Sequence, residues 1–311
     1  VKNGFHLARP NFGHGLVKKT GKLLVPRILG SALYQINVFV DTILASFEGI
    51  VGAGGQSALY YSNRLFQLPL AIVGISIAQA VLPTFSTQIV REDLKGFKET
   101  FSMAVRSVLF VILPASAGLV LLCEPIVRII FERGEFNAYS TQITSSALFF
   151  YAFGLLSCCL IKLLANAFYA MHDTRTPVKT ALFSVALNIV LCLILMRPLQ
   201  IGGLTLASSL SATVNVILLY RILRKRVGPV EEQRILTSFY RTLAAASVMG
   251  VFCYFYGVWF LGADASASSL RQATVLLGGI LAAVIIYFVS AVLLRSEEAR
   301  KILQFRSHGH S

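Results

Sequence analysis

Long apolar runs separated by short polar or glycine-rich joints set the pattern of this chain. They extend approximately over Leu24 to Phe47, Ser57 to Ile89, Phe101 to Cys123, Thr141 to Met171, Val178 to Met196, Gly203 to Ile222, Leu236 to Leu261 and Ala273 to Leu294. These are about eight segments, each near or above the roughly 20 helical residues needed to cross a hydrocarbon core of about 30 Å. Backbone N–H and C=O groups in lipid must be satisfied within the segment, so the pattern predicts an all-α fold, a polytopic membrane helical bundle. The second and fourth runs exceed the length of a straight span. A tilt or kink is expected there, and Pro69 supplies a kink site in the second.

Basic residues then orient the spans, because short cytoplasmic loops collect Lys and Arg. Clusters precede the first span (Lys18, Lys19, Lys22, Arg27) and follow the second (Arg91, Lys95, Lys98), fourth (Arg175, Lys179), sixth (Arg221, Arg224, Lys225, Arg226) and eighth (Arg295, Arg300, Lys301, Arg306). The intervening loops are poor in cations, so both chain ends are predicted to be cytoplasmic. The expected organisation is a basic cytoplasmic lead-in over 1–23, a six-helix unit over 24–223, a basic linker over 224–235, two further transmembrane helices over 236–294, and a cytoplasmic tail over 295–311. The chain opens on Val1 with no signal-peptide pattern, and is expected to be a piece of something longer.

Composition agrees with the pattern: 56% hydrophobic and 14% charged, with a mean hydropathy of +0.71. Soluble domains carry roughly 25% charged residues. The formal charge of +14 is accounted for by topology and by attraction to anionic membrane lipids. It does not indicate nucleic acid, since the cations form no single stripe with interleaved aromatics. The five cysteines fall in or beside apolar runs without metal-ligand spacing, and read as small buried fillers. The histidines lie near the ends or at a span boundary, so no metal-ligating set is expected inside the membrane. Enzymes acting on lipid phosphates need acid–base or metal-ligating groups at the membrane surface. The outer loops offer only Glu48, Glu124, Glu132, Glu135 and Asp264 without a histidine partner, so no enzyme activity is expected.

Away from the loops and span ends, three charges stand out: Asp41 in the first span, Arg64 in the second and Lys162 in the fourth. An ionisable side chain at bilayer depth costs on the order of 2.5–3.5 kcal/mol even on lenient scales, so it faces a protein interior or a watery cavity. Each lies on a polar stripe at helical spacing: Tyr34, Asn37, Asp41 and Glu48; Tyr60, Asn63, Arg64 and Gln67; Cys159, Lys162, Asn166, Tyr169 and Asp173. These faces are expected to converge on a polar, net cationic interior. Asp41 and Arg64 fall at similar depths on adjacent antiparallel spans and are expected to pair. Such a pair reads either as a staple between two helices or as part of a pathway. The surplus cation, Lys162, favours an anionic ligand such as a phosphate group. Ser184, Asn188, Thr205, Ser208, Ser209 and Asn215 form a second polar set, mostly suited to helix packing. Asn188 and Ser208 near Asp41 would supply oxygen ligands for a small hard cation.

The segments YYSNRLFQLP at 60–69 and AVLPTFS at 80–86 resemble the signature of the MurJ (MviN) lipid II flippases of the multidrug/oligosaccharidyl-lipid/polysaccharide exporter superfamily. YQINVFVDTILASF at 34–47, FERGEF at 131–136 and IKLLANAFYAMHDTRTP at 161–177 resemble further motifs in the same order. The resemblance implies two six-helix lobes and two extra C-terminal helices, of which this chain matches the second lobe and the extra pair. The first lobe of the same protein is then an expected partner, alongside membrane lipids. It also implies transport of lipid II from the inner to the outer leaflet of the bacterial cytoplasmic membrane by alternating access. Export of another polyprenyl-linked glycan or an amphipathic solute is the alternative on the same fold. Arg64 and Lys162 are implied to meet the lipid head group, with Asn63, Gln67 and Asn166 lining the same cavity. Asp41, Asn188 and Ser208 resemble part of a sodium site, but Cys192 stands where a further acidic ligand is expected. No cofactor is implied; a sodium ion or the membrane potential is the expected driving force.

Overall fold

The computed structural model describes residues 35–261 and 269–300. Among them the chain is helical, with no strand. The helices are α1 (Gln35–Leu44), α2 (Glu48–Val51), α3 (Gly55–Pro69), α4 (Ser76–Val90), α5 (Leu94–Leu121), α6 (Cys123–Phe131), α7 (Ala138–Ala170), α8 (Arg175–Leu199), α9 (Ile201–Val227), α10 (Glu232–Tyr256) and α11 (Ser269–Leu293). Seven stretches are long and apolar enough to cross a membrane, the first running from α3 through α4. They correspond to the second through eighth predicted spans. The predicted first span is described only from Gln35 onward, and its earlier residues lie outside the described ones.

Two departures from the sequence reading have local causes. The first run does not carry Glu48 on the same helix as Asp41. Helix α1 ends at Leu44, and Glu48 begins the short α2. The long second run is interrupted as expected near Pro69, and the form of the break is a π-helical segment over Leu70–Ile75 between α3 and α4. Proline lacks the N–H that the helix ladder needs at that point, and the widened turn absorbs the defect.

Helix α7 is the axle of the bundle. It packs against α9, α5, α3, α4 and α6, while α8 packs on α9, and α10 on both α5 and α11. Lipid tails are as apolar as leucine, so helices in a membrane associate through close packing rather than through expulsion of water. Small residues permit that approach. A Cβ on Gly74 in the π segment would lie 2.6 Å from Cys159 Sγ on α7, and one on Gly154 of α7 would lie 2.9 Å from Ser209 Cα on α9. Two clusters fill the remainder. One joins Leu65 and Phe66 of α3 with Leu148, Leu155 and Cys159 of α7 and Leu204 of α9; the other joins Phe85, Phe97 and Phe101 with Leu163, Phe168, Leu219 and Leu223. A third holds the last helix pair to α5 through Phe110, Leu122, Met249, Cys253 and Tyr287.

Helix α8 shows the inverted amphipathicity of a membrane helix. Its buried face repeats every four residues with Thr180, Ser184, Asn188, Cys192 and Met196, while Leu182, Phe183, Val190, Leu193 and Ile194 are exposed. Polar side chains therefore point inward, where partners satisfy them, and large apolar ones point to where lipid would lie.

Candidate functional site: a closed carboxylate and an open cationic face

The inward face of α8 meets α1 and α9 at Asp41. Asn188 donates from Nδ2 to Asp41 Oδ1 at 3.0 Å and to Asn37 Oδ1 at 2.9 Å. Ser208 donates from Oγ to Asp41 Oδ2 at 3.2 Å, and Asn37 Nδ2 reaches the same oxygen at 3.3 Å. The Cys192 thiol sits 3.6 Å from Asp41 Oδ1. Ser184 extends the seam to the Ser211 carbonyl at 2.9 Å. Asp41 and Asn188 are both buried, with exposures of 7% and 1%. A buried carboxylate is costly unless its lone pairs find donors, and here the neighbouring helices supply them.

The structure thus brings Asp41, Asn188 and Ser208 together and leaves Arg64 out. The expected Asp41–Arg64 ion pair is absent among the described residues. Asp41 turns toward α8 and α9, while Arg64 lies on an exposed face of α3, donating to Tyr60 Oη at 2.9 Å with its guanidinium 4.9 Å from that ring's centroid. Similar depth was not sufficient; the azimuth of each side chain around its helix decided the partner. One turn away on α3, Gln67 donates to Asn63, and both are half-buried.

Lys162 is exposed on α7, and no carboxylate of the described residues lies within ion-pair distance of it. Its neighbour Asn166 spends its amide on the Ala78 carbonyl of α4 at 2.7 Å, a tie between helices. The lower end of the predicted α7 stripe also departs from expectation. Asp173 lies beyond α7, where Oδ1 accepts the backbone N–H groups of Arg175 and Thr176 at 3.0 Å each, and Oδ2 pairs with Arg226 at 2.6 Å. Burial opposes the charged form of Asp173, but hydrogen bonds from Thr176 and the Arg226 guanidinium outweigh it and hold the carboxyl below its ordinary value.

Depth separates the two exposed cations. Helices α3–α4 and α7 run parallel: Phe66 stacks near Tyr151, Gly74 touches Cys159, and Ala78 meets Asn166. Ten residues separate Arg64 from Gly74, and three separate Cys159 from Lys162. At 1.5 Å per residue, Arg64 and Lys162 stand about 20 Å apart along the bundle. One diphosphate does not touch both in this arrangement.

A fourth intramembrane charge escaped the sequence reading. Arg106 in α5 is buried and pairs with Glu297 at 2.6 Å and Glu298 at 3.3 Å, residues that follow α11. An arginine six residues into the apolar run from Phe101 was the available signal. Its partners lie 191 positions away and carry no local mark.

The donors around Asp41 bear on whether a cation could sit there. Asp41 is the cluster's single carboxylate; Asn188 presents N–H rather than oxygen to it, and the fourth side is a thiol. Hard cations take several oxygen ligands. As arranged, Asn188, Ser208 and Asn37 donate to Asp41, while Asn37 Oδ1, Asn188 Oδ1 and the Leu204 carbonyl lie in the same cluster. Among the described residues no group of His, Cys, Asp and Glu is arranged to hold a metal ion.

Inverted amphipathic helices, a π-interrupted span and polar side chains gathered within the bundle define a multi-pass membrane protein. The family model described as "Lipid II flippase MurJ" matches residues 1–273, and this chain belongs to that family. The probable lipid II flippase MurJ of Rhizobium meliloti (strain 1021) is 36% identical over 294 residues, covering 94% of this chain and 53% of the relative. That of Vibrio cholerae serotype O1 (strain ATCC 39315 / El Tor Inaba N16961) is 39% identical over 218 residues, covering 69% of this chain and 41% of the relative. The chain therefore spans about half the length of the curated relatives it matches. Among solved structures, a lipid II flippase MurJ in an inward closed conformation superposes with a TM-score of 0.69 at 24% identity, covering 93% of this chain and 57% of that one. A transporter of the MOP superfamily from Pyrococcus furiosus Vc1 (DSM3638) shares the fold at a TM-score of 0.55 and 15% identity, covering 88% of this chain and 61% of that one.

Proposed function

We propose that this chain is the second six-helix lobe and the additional helix pair of a transporter that moves lipid II from the inner to the outer leaflet of the bacterial cytoplasmic membrane. The remaining lobe of the same protein completes the cavity, and both ends of this chain face the cytoplasm. The observation that carries the reading is the pair of exposed cations, Arg64 and Lys162, on tightly packed helices of a family member and without a carboxylate in ion-pair distance among the described residues. An unpaired cation at bilayer depth suits an arriving phosphate.

Their separation of about 20 Å refines the mechanism. Lys162, near the α7 end that carries the basic loops, meets the diphosphate on the cytoplasmic side; Arg64, deeper toward the other face, receives it as the lobes rock. Asn63 and Gln67, hydrogen-bonded to each other beside Arg64, offer neutral polar contacts to the head group. Asn166 supports this face by holding α7 to α4. No bond is made or broken. The Asp41–Asn188–Ser208 cluster acts as a closed polar hinge between α1, α8 and α9 rather than as a sodium site. The driving force then falls to the membrane potential, worth about 2.3 kcal/mol per elementary charge per 100 mV acting on the moving cations.

The test is lipid II translocation by the full-length protein with Arg64→Ala and Lys162→Ala, singly and together. Each single change is expected to slow translocation, and the pair to slow it further. Normal rates in both single variants would sink the substrate assignment. Accumulation of a different lipid-linked sugar on depletion would favour the alternative exporter.

A further inference from the structure

Away from the Arg64–Lys162 face, a cavity of about 270 Å³ opens between the first turns of α10, the middle of α5 and the residues that follow α11. Arg106, Arg234 and Arg241 line it together with Glu297 and Glu298, leaving one more cation than anions. Arg106 is paired with both glutamates, yet its buried Nε has no acceptor, although the side chain is only 9% exposed. Arg241 spends one N–H on the neutral Arg295 carbonyl at 2.9 Å and has no carboxylate in ion-pair distance among the described residues. Arg234 is held by Glu231 at 2.8 Å, with its side chain 63% exposed. Arg241 and Arg234 therefore retain unused donors beside one polar hollow.

The setting belongs to a membrane surface. On the outer face of the same turns, Leu236, Tyr240 and Leu243 are exposed, an apolar skirt with an aromatic at its centre, beside which acyl chains would run. Basic pockets between transmembrane helices on the cation-rich side recognise lipid head groups. A free ion would use the arginines but not the skirt.

We infer that this cavity binds the phosphodiester head group of a membrane phospholipid, with Arg241 and Arg234 donating to the phosphate oxygens. The bound lipid would bridge α10 to α5 and to the segment after α11, fixing the last helix pair against the bundle. The inference stands on its own cavity and does not depend on the transport reading.

Native mass spectrometry of the full-length protein in detergent, titrated separately with short-chain phosphatidylethanolamine, short-chain phosphatidylglycerol and inorganic phosphate, tests it. Saturable binding of either phospholipid is expected, weakened at least tenfold by Arg234→Gln combined with Arg241→Gln. Thr237→Phe, which fills the cavity with every charge retained, is expected to give the same loss and serves where the double variant does not fold. Inorganic phosphate binding as tightly as the phospholipids would overturn the assignment to a lipid. Phospholipid binding that ignores the cavity-filling variant would overturn the site, and so would the absence of saturable binding.

Discussion

Asp41 and Arg64 each put a charge into helices composed for lipid, and the two regions treat that charge in opposite ways. Around Asp41, three helices converge and present Asn188, Ser208 and Asn37 as donors, so the carboxylate is buried and satisfied by its own fold. On α3 and α7 the cations are exposed; Arg64 contacts a tyrosine, and Lys162 has no carboxylate in ion-pair distance among the described residues. A closed polar cluster contributes to one arrangement of helices, whereas an open one leaves its donors unused within the fold. Burial sharpens the distinction, because a buried carboxylate must find its donors within the fold.

The strongest way to break this comparison is to remove the open charges. Charge-assisted hydrogen bonds are worth about 1.5–3 kcal/mol each, so Arg64→Ala with Lys162→Ala is expected to slow lipid II translocation by roughly a hundredfold or more. The same double variant should unfold at nearly the wild-type temperature, since the guanidinium contact to Tyr60 is worth only about 0.5–1 kcal/mol at an exposed site. A large stability loss without a transport defect would reverse the roles assigned to the two regions.

Asp41→Ala is the converse. It strands the Asn188 and Ser208 donors inside the bundle, and a buried unsatisfied donor costs about 1–3 kcal/mol. Thermal unfolding in detergent should show that loss, with Asp41→Asn milder because it retains an acceptor. A variant as stable as wild type would show that the cluster is not a closed structural element.

Asn166→Ala sits between the two regions, on the cationic helix but with its amide committed to Ala78. About 1 kcal/mol of stability is expected to go, the usual net value of one hydrogen bond. Unchanged stability with lost transport would return Asn166 to the substrate face.

The smallest effect concerns Asp173, outside the spans. Its folded-state carboxyl titrates below the ordinary value of 3.8. Its contribution to stability is therefore fully present above that value and lost as the pH falls through the lower folded value. Wild type should exceed Asp173→Asn in thermal stability at about pH 6, and the gap should shrink as the pH falls below 3.8. A gap that stays constant over that range would remove the ion pair with Arg226 as its cause.

Much of the architecture was legible because it is local. Runs of apolar residues fix where helices cross, and Pro69 marks the break in the second run. Partner choice was not legible. Asp41 and Arg64 look complementary by depth, yet α8 and α9 claim Asp41 through the four-residue stripe of Ser184, Asn188 and Cys192. Glu48 looked continuous with Asp41 by spacing, but α1 ends between them at Leu44. Asp173 sat on a helical period that the helix itself does not reach.

By itself, then, the sequence determined a polytopic helical bundle, the break at Pro69, the family motifs and three of the intramembrane charges, since apolar length and composition act residue by residue. The tertiary structure decided which of those charges are satisfied. That depends on how each helix is rotated about its axis and which helix packs beside it, so Arg106 meets Glu297 across 191 positions while Arg64 and Lys162 stay open at depths about 20 Å apart.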